Sequence, residues 1–123
     1  MGYGTAERAG GAGPAGGAGA VADCEAVDAE DLARRETLAQ HRGGIDRIDK
    51  TIVALLAERV RLGIALGALK RDLRLPARSE TREAEVLTRV RQAAVGPLSS
   101  QAAARIFSTI IAETTAAQDA SHD

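Results

Sequence analysis

Ile45, Ile48, Ile52, Leu55, Leu62, Leu66 and Leu69 recur at alternating steps of three and four residues, and Arg59 stands where the series calls for another leucine. That spacing places them on one face of a long helix whose apolar stripe is interrupted by a single guanidinium. The stripe predicts helix from near Asp31 to about Arg71–Arg74, with a break or bend at Gly43-Gly44, because each glycine costs ~1 kcal/mol relative to alanine inside a helix. Leu75-Pro76-Ala77-Arg78-Ser79 reads as a connection: Pro76 has no amide proton and pushes Leu75 out of helical geometry. A second helix is expected from Ser79-Glu80-Thr81-Arg82, where a hydroxyl can cap free amides and Glu80 and Glu83 suit the helix dipole. Its apolar positions Ala84, Leu87, Val90 and Ala94 hold helical spacing until Gly96-Pro97 stops it. Ser99 or Ser100 can cap a third helix, in which Phe107, Ile111, Thr114 and Gln118 share a stripe beside Ala103, Ile106 and Ile110. One long, one short and one medium helix make an all-α chain. The long stripe exceeds what two short helices can cover, so a dimer is expected.

An arginine keeps its proton at any physiological pH, and burying it unpaired among apolar groups costs several kcal/mol. Something anionic should therefore meet Arg59. Lys70 follows eleven residues later, which at ~100° per residue returns to within roughly 20° of the same face. The pattern alone leaves two partners open with equal weight, a carboxylate on another helix or an anionic ligand.

Composition narrows the classes. The 123 residues are 45% hydrophobic with no tryptophan, one tyrosine and one phenylalanine, which suits a single aliphatic helical domain. Residues 1–30 hold most of the glycine and read as a disordered leader; 31–119 form the domain, and 120–123 a tail. Cys24 is the one cysteine and lies in that leader, so neither a disulfide framework nor a zinc site is expected and a cytoplasmic setting fits. No apolar run nears the ~20 residues of a membrane span, and no signal peptide is visible. Between His41 and Asp119 there are thirteen Lys/Arg against nine Asp/Glu. This mild basic excess comes without aromatic interleaving or a binding motif, so nucleic acid is not an expected partner.

The chemistry-bearing residues are fixed cations and neutral donors: Arg42, Arg59, Lys70, Arg78, Arg82 and Gln118. No nucleophile–base pair and no phosphate-cradling glycine loop accompany them, and His41 and His122 lie at or near the ends of the ordered region. Such a set can hold a polyanion in one conformation and stabilise charge that develops in it. Neither a cofactor nor a metal is called for.

The order and gaps of these residues are recognisable. Arg42, Ile45-Asp46-Arg47-Ile48-Asp49, Leu55-Leu56-Ala57-Glu58-Arg59, Gly67-Ala68-Leu69-Lys70, Pro76, Arg82-Glu83 and Gln118 together resemble the all-helical chorismate mutase family over roughly residues 38–119. The resemblance implies an intertwined helical homodimer whose sites are each completed by an arginine of the other chain. Arg42 matches that crossing arginine and Arg59 the one that holds a substrate carboxylate. Lys70 and Gln118 match the pair that donates to the ether oxygen of the breaking bond, and Glu83 the acid that accepts from the ring hydroxyl. Arg82 and Thr114 match flanking positions, while Arg78 is placed at the rim. Ser79 stands where the family usually has an aspartate, so weaker substrate binding is expected. The implied reaction is chorismate to prephenate, in aromatic amino acid biosynthesis. Relatives acting on 4-amino-4-deoxychorismate, or eliminating pyruvate from isochorismate, are the alternatives within the family. A non-catalytic helical dimer with a dimerisation or regulatory role is the alternative outside it.

Overall fold

A computed structural model of the chain describes residues 21–122, with side chains from 28 to 121. Three helices account for it: α1 (Val21–Asp72), α2 (Glu80–Ala93) and α3 (Ser100–His122). Among the described residues there is no strand, and no helix is long and apolar enough to cross a membrane. The part of the expected disordered leader that covers residues 1–20 lies outside the described residues. Residues 21–30, expected in that leader, are helical. They contain no glycine or proline and are rich in alanine, which has the highest helix propensity. Cys24 accordingly falls in α1.

Gly43-Gly44 does not break the helix, which runs through both residues. Two glycines cost about 2 kcal/mol of propensity, and the strong apolar and alanine-rich stretches on either side outweigh that. The chain divides into two compact units at Asp46/Arg47, inside α1. The described part of the first, residues 21–46, is a polar helix laced by exposed four-residue pairs: Arg35 Nε sits 2.9 Å from Asp31, and Arg34 4.0 Å from Glu30.

The second unit holds the rest of α1 with α2 and α3. Here α1 ends in a Schellman motif. Leu75 N donates to Lys70 O (2.8 Å) and Arg74 N to Arg71 O (3.1 Å), with Arg74 at φ 60° where a glycine is usual. Pro76 then prevents continuation. Ser79 caps α2, its Oγ accepting from Arg82 N at 3.1 Å. Gly96, at φ 62°, makes the turn after α2, and Ser99, of the two candidate serines, caps α3 by accepting from Ala102 N at 3.0 Å. Ser100 Oγ donates back to Arg91 O (3.1 Å), tying the end of α2 to the start of α3.

The core of a single chain is small. Ala103 (4% exposed) is the buried hydrophobic residue, whereas Ile52, Leu55, Leu62, Leu66 and Leu69 stay exposed, Leu62 at 72%. What brings α1 against α3 is a pair of small residues four apart. A Cβ on Gly63 would collide with Thr114 Cγ2, and one on Gly67 would lie 3.4 Å from Gln118 Cγ. Thr114 and Gln118, also four apart, therefore sit directly on the α1 backbone.

Candidate active site

The packing of Thr114 and Gln118 on Gly63 and Gly67 creates one wall of a pocket of about 250 Å³, and the α1–α2 turn with the first turn of α2 supplies the opposite one. Arg59, Lys70, Ser79, Arg82, Glu83, Thr114 and Gln118 all line it, so seven of the eight site residues expected from sequence converge in the second unit. Arg42, the eighth, belongs to the first unit and is half-buried on α1.

Arg59 is half-buried. Its Nη1 donates to Thr114 Oγ1 at 3.0 Å, and Thr114 Oγ1 donates in turn to Ile110 O at 2.8 Å. The threonine hydroxyl thus spends its own proton on the helix and offers a lone pair to the guanidinium. Phe107 lies under the same group, 6.0 Å from Cζ to the ring centroid, at the outer limit of a cation–π contact. Among the described residues no carboxylate pairs with Arg59. Of the two partners left open by the stripe pattern, a carboxylate on another helix is not found among the described residues of this chain.

Lys70 projects from the last turn of α1, and its Nζ donates to Ala77 O at 3.3 Å across the turn. Its own carbonyl closes the Schellman motif, so the backbone that carries the ammonium is fixed by the turn that faces it. Gln118 donates through Nε2 to Gly63 O at 2.6 Å. A carbonyl can only accept, which fixes the amide with its nitrogen at α1 and leaves the second N–H proton for a ligand.

The α2 side carries charge of both signs. Arg78 binds Glu83 in a two-pronged ion pair, Nε to Oε2 and Nη2 to Oε1, both 3.0 Å. Hydrogen bonding to Arg78 holds the Glu83 carboxyl below its ordinary range, with a smaller contribution from the charge of Lys70, and Glu83 raises Arg78 in return. Arg78, expected at the rim, also lines the pocket. Arg82 makes a long 3.5 Å contact with Glu85, with both side chains about half exposed. The hydroxyl of Ser79 is engaged as an acceptor by the Arg82 amide and retains its proton for donation.

Four cations and one carboxylate therefore face one small space, and among the described residues Arg59 and Lys70 have only neutral acceptors as partners. This arrangement can bind a compact dianion and stabilise negative charge that develops inside it. No cluster of side chains suited to a metal ion occurs among the described residues. Gly63 was not anticipated from sequence. Its signal is the Gly63–Gly67 interval in step with Thr114–Gln118, which marks a close helix crossing and an exposed carbonyl.

The family profile described as chorismate mutase type II matches residues 41–119. A bifunctional chorismate mutase/prephenate dehydratase from Neisseria gonorrhoeae is 39% identical over 83 residues, which are 68% of this chain and 22% of that protein. The chain thus spans less than a quarter of the length of that curated relative. Among solved structures, the chorismate mutase (form II) from Thermus thermophilus matches with a TM-score of 0.64 at 29% identity, over 70% of this chain and 94% of the other.

Proposed function

The chain belongs to the chorismate mutase type II family, and from that premise we propose that it rearranges chorismate to prephenate in aromatic amino acid biosynthesis. The observation that carries this reading is the pair Arg59 and Lys70, two cations in one pocket held by a hydroxyl and a carbonyl with no carboxylate on either among the described residues. The reaction breaks an ether bond and forms a carbon–carbon bond in one step, with no nucleophile and no proton transfer. It asks for a compact conformer and for donors to the ether oxygen as charge builds there.

Arg59 binds a substrate carboxylate, pre-aimed by Thr114. Lys70 and the free N–H of Gln118 donate to the ether oxygen, and Glu83 accepts from the ring hydroxyl. Arg82 adds positive charge at the α2 side, and Ser79 contributes its remaining proton. Gln118 donates without first having to be protonated, so the donor set stays intact across neutral pH.

The protein acts as an intertwined cytoplasmic homodimer in which Arg42 of one protomer reaches the site of its partner. The exposed apolar stripe of α1 supports this assembly, since leaving Ile52, Leu55, Leu62 and Leu69 in water forfeits roughly 1.5–3 kcal/mol for each side chain that a partner could bury.

The test is to mix the purified protein with chorismate, follow its loss in the ultraviolet and convert the product with acid to phenylpyruvate. Turnover to prephenate is expected. Turnover only of isochorismate or of the ring-amino analogue would move the activity within the family, and silence on all three would leave a non-catalytic helical dimer.

A further inference from the structure

Glu83 is the one carboxylate that lines the pocket, and it is not a free charge. Both of its oxygens are occupied by the Arg78 fork at 3.0 Å, while three further cations, Arg59, Lys70 and Arg82, line the same space. A carboxylate bound bidentately keeps lone pairs for a further neutral donor, because each oxygen has two acceptor sites. Its attraction for a cation is weakened, since an ammonium brought to Glu83 would also feel the guanidinium charge that the carboxylate already holds.

We propose that Arg78 is a specificity-determining positioning residue: by gripping Glu83 at both oxygens it offsets the pocket's one negative charge, so that the site selects a dianion carrying a neutral ring hydroxyl over one carrying a ring ammonium. The inference rests on the reading that this pocket holds chorismate with its ring substituent at Glu83. The lowered pKa of Glu83 follows from the same contact. Arg78 itself is a positioning group, acting on the substrate only through Glu83. Its side chain is 64% exposed against 25% for Glu83, so it can be replaced without disturbing a packed core.

The test compares kcat/KM for chorismate and for 4-amino-4-deoxychorismate in the unaltered protein, Arg78→Met and Arg78→Lys. The methionine keeps the aliphatic bulk and removes the charge; the lysine restores a charge without the fork. Unaltered protein is expected to favour chorismate, and Arg78→Met to shift the ratio of the two kcat/KM values toward the amino substrate by about tenfold, the scale of one solvent-screened unit charge at contact distance. Arg78→Lys should recover part of that shift. The acid limb of the chorismate profile should also move to higher pH in Arg78→Met, as Glu83 returns toward its ordinary pKa. An equal loss on both substrates, with the ratio unchanged, would overturn the inference and leave the family reading standing. A preference for the amino substrate in unaltered protein would do the same. Unaltered protein inert toward both substrates would overturn the reading and the inference together.

Discussion

The cations of the pocket fall into two groups that differ in what holds them. On the α1–α3 side, Arg59 and Lys70 lean on a threonine hydroxyl and a backbone carbonyl, groups that orient a charge without cancelling it. On the α2 side, Arg78 is locked to Glu83 through two 3.0 Å contacts. A charge left uncompensated keeps its full attraction for an anionic ligand, whereas a compensated one shapes its neighbour. On the proposed reading, the difference separates residues that bind and stabilise from one that tunes, inside a space of about 250 Å³.

Removing an uncompensated charge is the harshest way to break this contrast. Arg59→Leu should abolish turnover while the helical fold and the proposed dimer persist, because a leucine restores the apolar stripe of α1; circular dichroism and sizing chromatography beside the activity assay would report both. Were Arg59 a structural ion-pair residue, the same change would stabilise the fold and leave any activity in place.

A smaller effect is expected where α1 meets α3. Gly63→Ala forces a methyl group into Thr114 Cγ2, and relieving the overlap shifts Thr114 and Gln118 away from α1. A stability loss of about 1–3 kcal/mol is expected from such overpacking, measured by denaturant titration. The kcat should fall more than KM rises, since Gln118 loses the carbonyl that aims its amide.

The pH response should be slight. Glu83 has a folded pKa below its unfolded value, so the stability it contributes is fully present above the unfolded value of about 4.3 and is lost only as pH falls through the lower folded value. With Gln118 requiring no proton, kcat/KM should be nearly flat between about pH 6 and 8, and a steep acid optimum would contradict the assigned roles. Smallest of all, Arg74→Gly should stabilise the protein slightly, by up to about 1 kcal/mol, because a side chain at φ 60° carries a strain that glycine lacks. A thermal melt would register it.

Much of this geometry is legible along the chain. The step of three and four from Ile45 to Leu69 foretells α1, and the single exception, Arg59, marks the pocket. Pro76 with Ser79 foretells the turn and the α2 cap, and Gly96-Pro97 the end of α2. Lys70 falls on the Arg59 face by simple rotation. The pattern is silent on two points that depend on distance in three dimensions. One is how closely α1 and α3 approach at Gly63 and Gly67, which decides that Gln118 meets a backbone carbonyl. The other is the choice of Arg78, among several nearby cations, as the partner of Glu83. Two points are corrected for a shared reason, the break at Gly43-Gly44 and the helix start near Asp31. The helix runs through Gly43-Gly44 and begins at Val21, because propensity summed over a long alanine-rich stretch outweighs local weak points.

The most direct measurement is kcat on chorismate for Lys70→Ala beside the unaltered protein at saturating substrate. If the neutral-held lysine donates to the ether oxygen only as charge develops there, kcat falls by roughly 10²–10³-fold, on the order of 3 to 4 kcal/mol in the barrier. An unchanged kcat with a raised KM would mean that Lys70 merely binds substrate, contradicting the assignment of the α1–α3 side as the stabilising half of the site.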